Sequence, residues 1–268
     1  MSAPEAHVSA EPAALEVHDL AVRFGGVTAL GGVTFRVQPA TVTSLIGPNG
    51  AGKTTAFNVI TGFQRPTGGG VRHDGAAITG WRPHRIAARG LVRTFQKTSL
   101  FSALTVTENV LTGLHLGGRV GLATALLRRD RVREEERVLA ADAQRVIAFV
   151  GLGARGDARA AALAYGEQRL LELAIALAAR PRVLLLDEPG SGMTASEKAT
   201  LAALILKIRD DGITVFLVEH DMRLVMGISD RVLVLNGGRL IADGTASDVQ
   251  RDPDVIRAYL GAGARAGA

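Results

Sequence analysis

The chain has 268 residues, 47% hydrophobic and 21% charged, which excludes a disordered polymer and allows one α/β domain carrying a subdomain. It contains no cysteine, which excludes disulfides and thiolate metal sites and agrees with a reducing compartment. The net charge of +5 is scattered, and its densest stretch, Arg128 to Arg137, mixes both signs, so no nucleic-acid partner is expected.

Taken in chain order, 1–14 is an unpatterned tail without the order of a signal peptide. From Leu15 to Val37, strand-like pieces alternate with glycine turns at Gly25-Gly26 and Gly31-Gly32, which predicts a small antiparallel sheet. The apolar run Thr41–Ile46 feeds a glycine-rich loop, and a helix starts at Lys53 and stops at Gly62. Residues 96–163 read as mainly helical, with apolar helical spacing over Val138–Val150 and Gly151 as a stop. A loop at Ala164–Gly166 opens a helix over Glu167–Ala179 that Pro181 closes, followed by a strand at Val183–Leu186, a helix at Ser196–Asp210 and a strand at Ile213–Val218. Short strands at Arg231–Leu235 and Arg239–Ala242 and a helix ending near Leu260 complete the pattern. No apolar run approaches the roughly 18–20 residues of a membrane span, so the expected location is the cytoplasm, with membrane contact through a partner.

Gly47-Pro48-Asn49-Gly50-Ala51-Gly52-Lys53-Thr54 matches G-x-x-x-x-G-K-[ST] at every fixed position, between a strand and a helix. Glycines let backbone N–H groups turn toward phosphate oxygens, and the helix that follows adds its positive end. Lys53 supplies a point charge between β- and γ-phosphates, and the Thr54 hydroxyl suits Mg²⁺, with Thr55 beside it. The fold expected is α/β: a P-loop NTPase core with a mostly parallel sheet (15–96 and 164–261), an N-terminal antiparallel β part, an inserted helical subdomain (97–163), and a tail over 262–268.

Val183–Asp187 is a buried strand ending in a carboxylate, which is costly unless it meets a cation, and Mg²⁺ is the natural one beside a phosphate loop. Glu188 follows and can polarise an attacking water. At the end of the next strand, His220 in Glu219-His220-Asp221 can reach the γ-phosphate. Ala164-Tyr165-Gly166-Glu167-Gln168 places glycine at a helix N-terminus, a second anion-binding arrangement, which suggests service to another molecule's nucleotide.

These elements, in this order over nearly all of Leu15–Gly261, resemble the ATP-binding subunits of ABC transporters. Phe24-Gly25-Gly26, Val92-Arg93-Thr94-Phe95-Gln96, Leu163–Gln168, the run from Glu219 to Arg231 and that from Asp252 to Gly261 make the chain similar to the branched-chain amino acid importer ATPases. The resemblance implies a head-to-tail dimer of cassettes, homomeric or heteromeric, with two ATP molecules between phosphate and signature loops. Phe24 would stack on adenine, Gln96 would reach Mg²⁺ and water, and Ala164, Tyr165, Gly166 and Glu167 would contact the partner's nucleotide. Leu100, Phe101 and Leu104 of the segment Lys97–Leu104 would face the permease subunits at the cytoplasmic side of the inner membrane, with a substrate-binding protein acting indirectly. A urea or short-amide importer, which Gly192–Glu197 favours, and a lipid or lipopolysaccharide exporter are the alternatives.

Several positions depart from the usual pattern of ABC ATP-binding subunits. Ala164 and Tyr165 stand where many of them have Ser and Gly, a change that the amino acid importer branch tolerates, while Leu170 and Ile175 stand where arginine is usual, Thr194 where Asp or Asn is, and Ala195 where Pro is. Hydrolysis is expected to survive because Lys53, Asp187, Glu188 and His220 are present; coupling across the dimer is the point in question.

Overall fold

The computed structural model describes residues 13–94, 100–115 and 129–265. At its centre is a six-stranded sheet of β3 (Val42–Ile46), β6 (Leu91–Arg93), β7 (Val183–Asp187), β8 (Thr214–Val218), β9 (Arg231–Asn236) and β10 (Arg239–Gly244). The order is β10-β9-β3-β8-β7-β6, with every pair parallel except the β9–β10 hairpin at one edge. β3, β7 and β8 are buried at every position, which is why they read as unbroken apolar runs: both faces are covered.

Successive side chains of these strands feed two different cores. Val183, Leu185, Phe216 and Val218 face a core shared with the second sheet, and Leu184, Leu186, Val215 and Leu217 face the helices. The second sheet is antiparallel, in the order β2-β1-β4-β5, and consists of β1 (Leu15–Phe24), β2 (Val27–Val37), β4 (Gly68–His73) and β5 (Ala76–Ala77). Three rings lock the layers: Phe216 of β8 lies 5.0 Å from Phe57 of α1 (Lys53–Ile60) and 5.5 Å from Phe35 of β2.

Gly25-Gly26 forms the β1–β2 turn, but Gly31-Gly32 does not turn the chain. Leu20 pairs with Val33 and Ala21 with Gly31, so Gly32 is the extra residue of a bulge inside β2, at φ +85°. Paired glycines serve a bulge as readily as a turn. The N-terminal boundary also shifts, because Ala13 and Ala14 are buried and the Ala14 N–H bonds to the Val37 carbonyl; residues 1–12 lie outside the described residues.

The helices after α1 are α2 (Pro83–Ala87), α3 (Val106–His115), α4 (Arg129–Phe149), α5 (Tyr165–Ala178), α6 (Ala195–Asp210), α7 (Met222–Ile228), α8 (Ala246–Arg251) and α9 (Pro253–Arg265). α3, α4 and α5 pack through Val110, Ala143, Ile147, Leu171 and Ala174. α5 opens at Tyr165, so Tyr165 and Gly166 belong to its first turn and not to the preceding loop. The last helical stretch is two helices and runs past Leu260 to Arg265. Asp252 caps the second by accepting the Asp254 and Val255 N–H groups at 2.7 and 3.2 Å, and Pro253 occupies the first helical position, where its missing N–H costs nothing. Among the described residues no helix is long and apolar enough to cross a membrane.

Candidate functional site

The carboxyl ends of parallel strands are where such sheets hold ligands, and here β3 runs into Gly47, β7 into Glu188 and β8 into Glu219. The loop after β3 is fixed by close approach. A Cβ on Gly47, at φ +149°, would lie 2.0 Å from the Leu235 carbonyl oxygen, and one on Gly52, at φ +105°, 2.6 Å from that of Ala29. Only glycine fits at either place. The loop rests on the β9–β10 hairpin through the Gly238 N–H, which donates to the Ala51 carbonyl at 3.0 Å. Pro48 is half-buried, whereas Asn49, Gly50 and Thr54 are exposed and Thr55 is partly so.

Lys53 is 6% exposed, and its Nζ donates to the carbonyls of Gly47 at 2.6 Å and Pro48 at 3.0 Å. Burial pushes its pKa down, and the carboxylates of Glu188 and Asp187 oppose that shift. An ammonium held by two loop carbonyls is poised to exchange them for phosphate oxygens.

Asp187 meets its cation, but the cation is Arg93. The guanidinium on β6 donates to Asp187 Oδ2 at 2.6 Å, and the two side chains are 9% and 3% exposed. The same guanidinium donates to Asn58 on α1 at 2.8 Å and stacks over Phe57, so it ties the strand-end carboxylate to the helix of the phosphate loop. Arg93 was legible as part of a family stretch, not as a partner of Asp187. The signal that would have found it is strand order: β6 pairs with β7, Arg93 opposite Leu185. The Thr54 hydroxyl and the remaining carboxylate oxygen of Asp187 are hard oxygen donors of the kind Mg²⁺ takes together with phosphate and water, so the residues present fit that ion. Gln96 lies outside the described residues.

Glu188 adopts φ +50°, a left-handed conformation that costs a non-glycine residue about 1 kcal/mol or more. Its N–H is held by the Val218 carbonyl at 2.8 Å, which turns the chain out of the sheet and presents the side chain. Glu188 Oε1 and His220 Nε2 are 2.9 Å apart, so the tautomer protonated at Nε2 donates to the carboxylate. Beneath them Glu219, 3% exposed, accepts the N–H groups of Gly190 at 2.7 Å and His220 at 2.8 Å. That buried carboxylate fixes the loops after β7 and β8 to each other, a role that a strand-end acid next to a histidine does not announce in sequence.

Phe24 stands at the β1–β2 turn, 51% exposed. At the second loop the Glu167 carboxylate accepts the Ala164 N–H at 2.9 Å and the Arg155 Nε–H at 3.0 Å, and the Ala164 amide holds its pKa below the usual range. Tyr165 donates its hydroxyl to the Ser191 carbonyl at 2.8 Å and accepts from Arg169, whose guanidinium also stacks on the ring.

Against known proteins, residues 30–191 match the family model described as ABC transporter, and residues 239–265 match one described as branched-chain amino acid ATP-binding cassette transporter. The chain is 46% identical to the high-affinity branched-chain amino acid transport ATP-binding protein BraF of Pseudomonas aeruginosa, over 92% of this chain and 97% of that one. It is 43% identical to LivG of Escherichia coli, a protein of the same description, over the same shares. Among solved structures, the ADP conformation of MJ1267, an ATP-binding cassette of an ABC transporter, superposes with a TM-score of 0.82 at 32% identity, covering 93% of this chain and 99% of that one. The chain therefore belongs to the ABC transporter ATP-binding proteins, in the branch of the branched-chain amino acid cassettes.

Proposed function

We propose that this chain binds and hydrolyses ATP as the cassette subunit of an importer for branched-chain amino acids. The observation that carries the chemistry is the convergence of Lys53, Asp187 and the Glu188–His220 pair at the carboxyl ends of adjacent parallel strands. The N–H groups from Gly50 to Thr55 and the N-terminal end of α1 receive the phosphates, with Pro48, Asn49 and Ala51 shaping the loop, and Lys53 releases its two carbonyls to bridge β- and γ-oxygens. Mg²⁺, held by Thr54, Asp187 and Gln96, supplies charge neutralisation when bound. Glu188 accepts a proton from the attacking water, and His220 keeps that carboxylate aimed. Phe24 offers its exposed face to adenine.

The substrate and the partners rest on the relatives. BraF and LivG are named for branched-chain amino acid transport, and the second matched segment carries the same description. We assign a dimer of cassettes, with itself or a second subunit, in which Ala164, Tyr165, Gly166 and Glu167 face the partner's nucleotide. Permease subunits at the cytoplasmic face of the inner membrane occupy an apolar groove of about 200 Å³ lined by Leu100, Phe101, Ile175 and Ala176. Ile175, where relatives carry arginine, adds to its apolar character. Leu104 is half-buried and outside that lining.

Glu188→Gln tests the chemistry. It should retain ATP, form a stable dimer and lose turnover by at least a hundredfold; hydrolysis at the parent rate sinks the assignment of the base. For the substrate, a strain lacking the gene should lose uptake of labelled leucine, isoleucine and valine, and the parent gene, but not the Glu188→Gln version, should restore it. Loss of urea uptake with leucine uptake intact would favour the amide importer.

A further inference from the structure

The segment from Asp252 to Gly261 distinguishes this branch, yet none of its residues takes part in the chemistry above. It forms the start of α9, and α9 packs through Val255 and Tyr259 on Ile46, Val232 and Val234. Ile46 is the last residue of β3, and the next residue, Gly47, opens the phosphate loop. The Tyr259 hydroxyl oxygen is buried and meets no hydrogen-bond partner at bonding geometry among the described residues. Burial pushes the phenol up to about 12, and the one backbone group that opposes this is the Gly47 N–H. A tyrosine kept only for its ring is inferior to phenylalanine here, because a buried hydroxyl without a partner costs free energy that a phenyl ring does not.

Gly47 has little freedom to adjust by itself. Its Cα is pressed against the Leu235 carbonyl, and its own carbonyl is held by Lys53 at 2.6 Å. When Lys53 leaves that carbonyl for a phosphate, Gly47 loses the side-chain bond on its carbonyl side, and the N–H on its other side is the group left to hold the residue. We propose that Tyr259 is a positioning residue for the phosphate loop: its hydroxyl accepts the Gly47 N–H in the nucleotide-bound state, so that α9 braces the loop once Lys53 has turned to the ligand. The inference rests on the reading of Gly47–Thr55 as a nucleotide site. It gives the C-terminal segment a physical link to that site, and it explains why an unsatisfied hydroxyl is kept beside it.

The test is Tyr259→Phe in the full chain, which keeps the ring and removes the hydroxyl. ADP affinity by titration calorimetry should weaken at least fivefold, about 1 kcal/mol, while the thermal midpoint without nucleotide stays level or rises. Amide exchange of the peptide containing Gly47 should slow on adding ADP in the parent and slow less in the variant. Affinity unchanged within twofold overturns the proposal. So does weaker affinity with a lowered midpoint in the absence of nucleotide, since that is the signature of lost packing. Failure of the parent itself to bind ADP would instead overturn the nucleotide site, and the two failures are read from different proteins.

Discussion

Replacing Arg93 by methionine isolates what the ion pair with Asp187 does. The pair is nearly sealed, with side chains 9% and 3% exposed, so the small values measured for surface bridges do not apply. Removing one partner of a buried pair leaves the other charge without compensation, at a cost of about 3–5 kcal/mol. Methionine keeps an unbranched apolar stem beside Phe57, so packing loss adds little, while the bond to Asn58 goes as well. For a chain of this size the midpoint should fall by roughly 6–20 °C in thermal unfolding with EDTA and no nucleotide. Adding Asp187→Asn should restore most of the loss, because the orphan charge is then gone and the two effects are not additive. Mg²⁺ with ADP should narrow the gap between Arg93→Met and parent, since a cation returns to Asp187. A cost below about 1 kcal/mol, or strict additivity in the double variant, would refute the view that Arg93 compensates this carboxylate.

Tyr165→Phe removes one hydroxyl that donates to Ser191 and accepts from Arg169 on a 41% exposed residue, so stability should drop by no more than about 1 kcal/mol in urea unfolding. The Hill coefficient of ATP hydrolysis should fall toward one, and an unchanged coefficient would show that this bond does not connect the sites. Acid should loosen the helix starts. Glu167 and Glu197 are held below their ordinary 4.5, first by the backbone N–H groups of Ala164 and Thr194 respectively. The unfolded chain therefore binds more protons in that range, so the stabilisation is complete above 4.5 and is lost as the pH falls through the depressed folded values. Unfolding midpoints should be flat down to about pH 5 and then decline, and Thr194→Ala should make that decline shallower; a decline beginning near neutrality would point to other groups.

The parallel core was legible because strands buried on both faces are written as apolar runs, and the loop Gly47–Thr54 because Gly47 and Gly52 are dictated by contacts within 3 Å and Gly50 by its positive φ. What sequence left open is long-range placement. Nothing local tells whether β6 or another strand lies next to β7, and that adjacency alone makes Arg93 the partner of Asp187. Glu219 and Tyr259 were unreadable for the same reason, since each acts on a loop that is remote in sequence. Gly31-Gly32 was misread because adjacent glycines permit a bulge and a turn equally.

The departures at Ala164, Thr194 and Ala195 take on a different meaning once those contacts are considered together. Ala164 has no hydroxyl to offer, yet its N–H still binds Glu167, so half of the cap on α5 survives. Thr194 supplies a full reciprocal cap for α6: its hydroxyl accepts the Glu197 N–H at 3.3 Å and its N–H reaches Glu197 Oε2 at 2.8 Å. With that cap in place, α6 starts without the fixed φ that proline would bring to position 195. Glu197 packs so close to Gly166 that a Cβ there would lie 2.3 Å from its Oε1, and Tyr165 reaches the Ser191 carbonyl at 2.8 Å, so the first turn of α5 and the loop before α6 meet at two points within one chain. A glycine at position 165 would remove the hydroxyl bond to Ser191. Tyr165 and Thr194 therefore strengthen the union of the start of α5 with the loop before α6. Any displacement of the first turn of α5 must either carry the segment from Ser191 to Glu197 with it or break the bond between Tyr165 and Ser191.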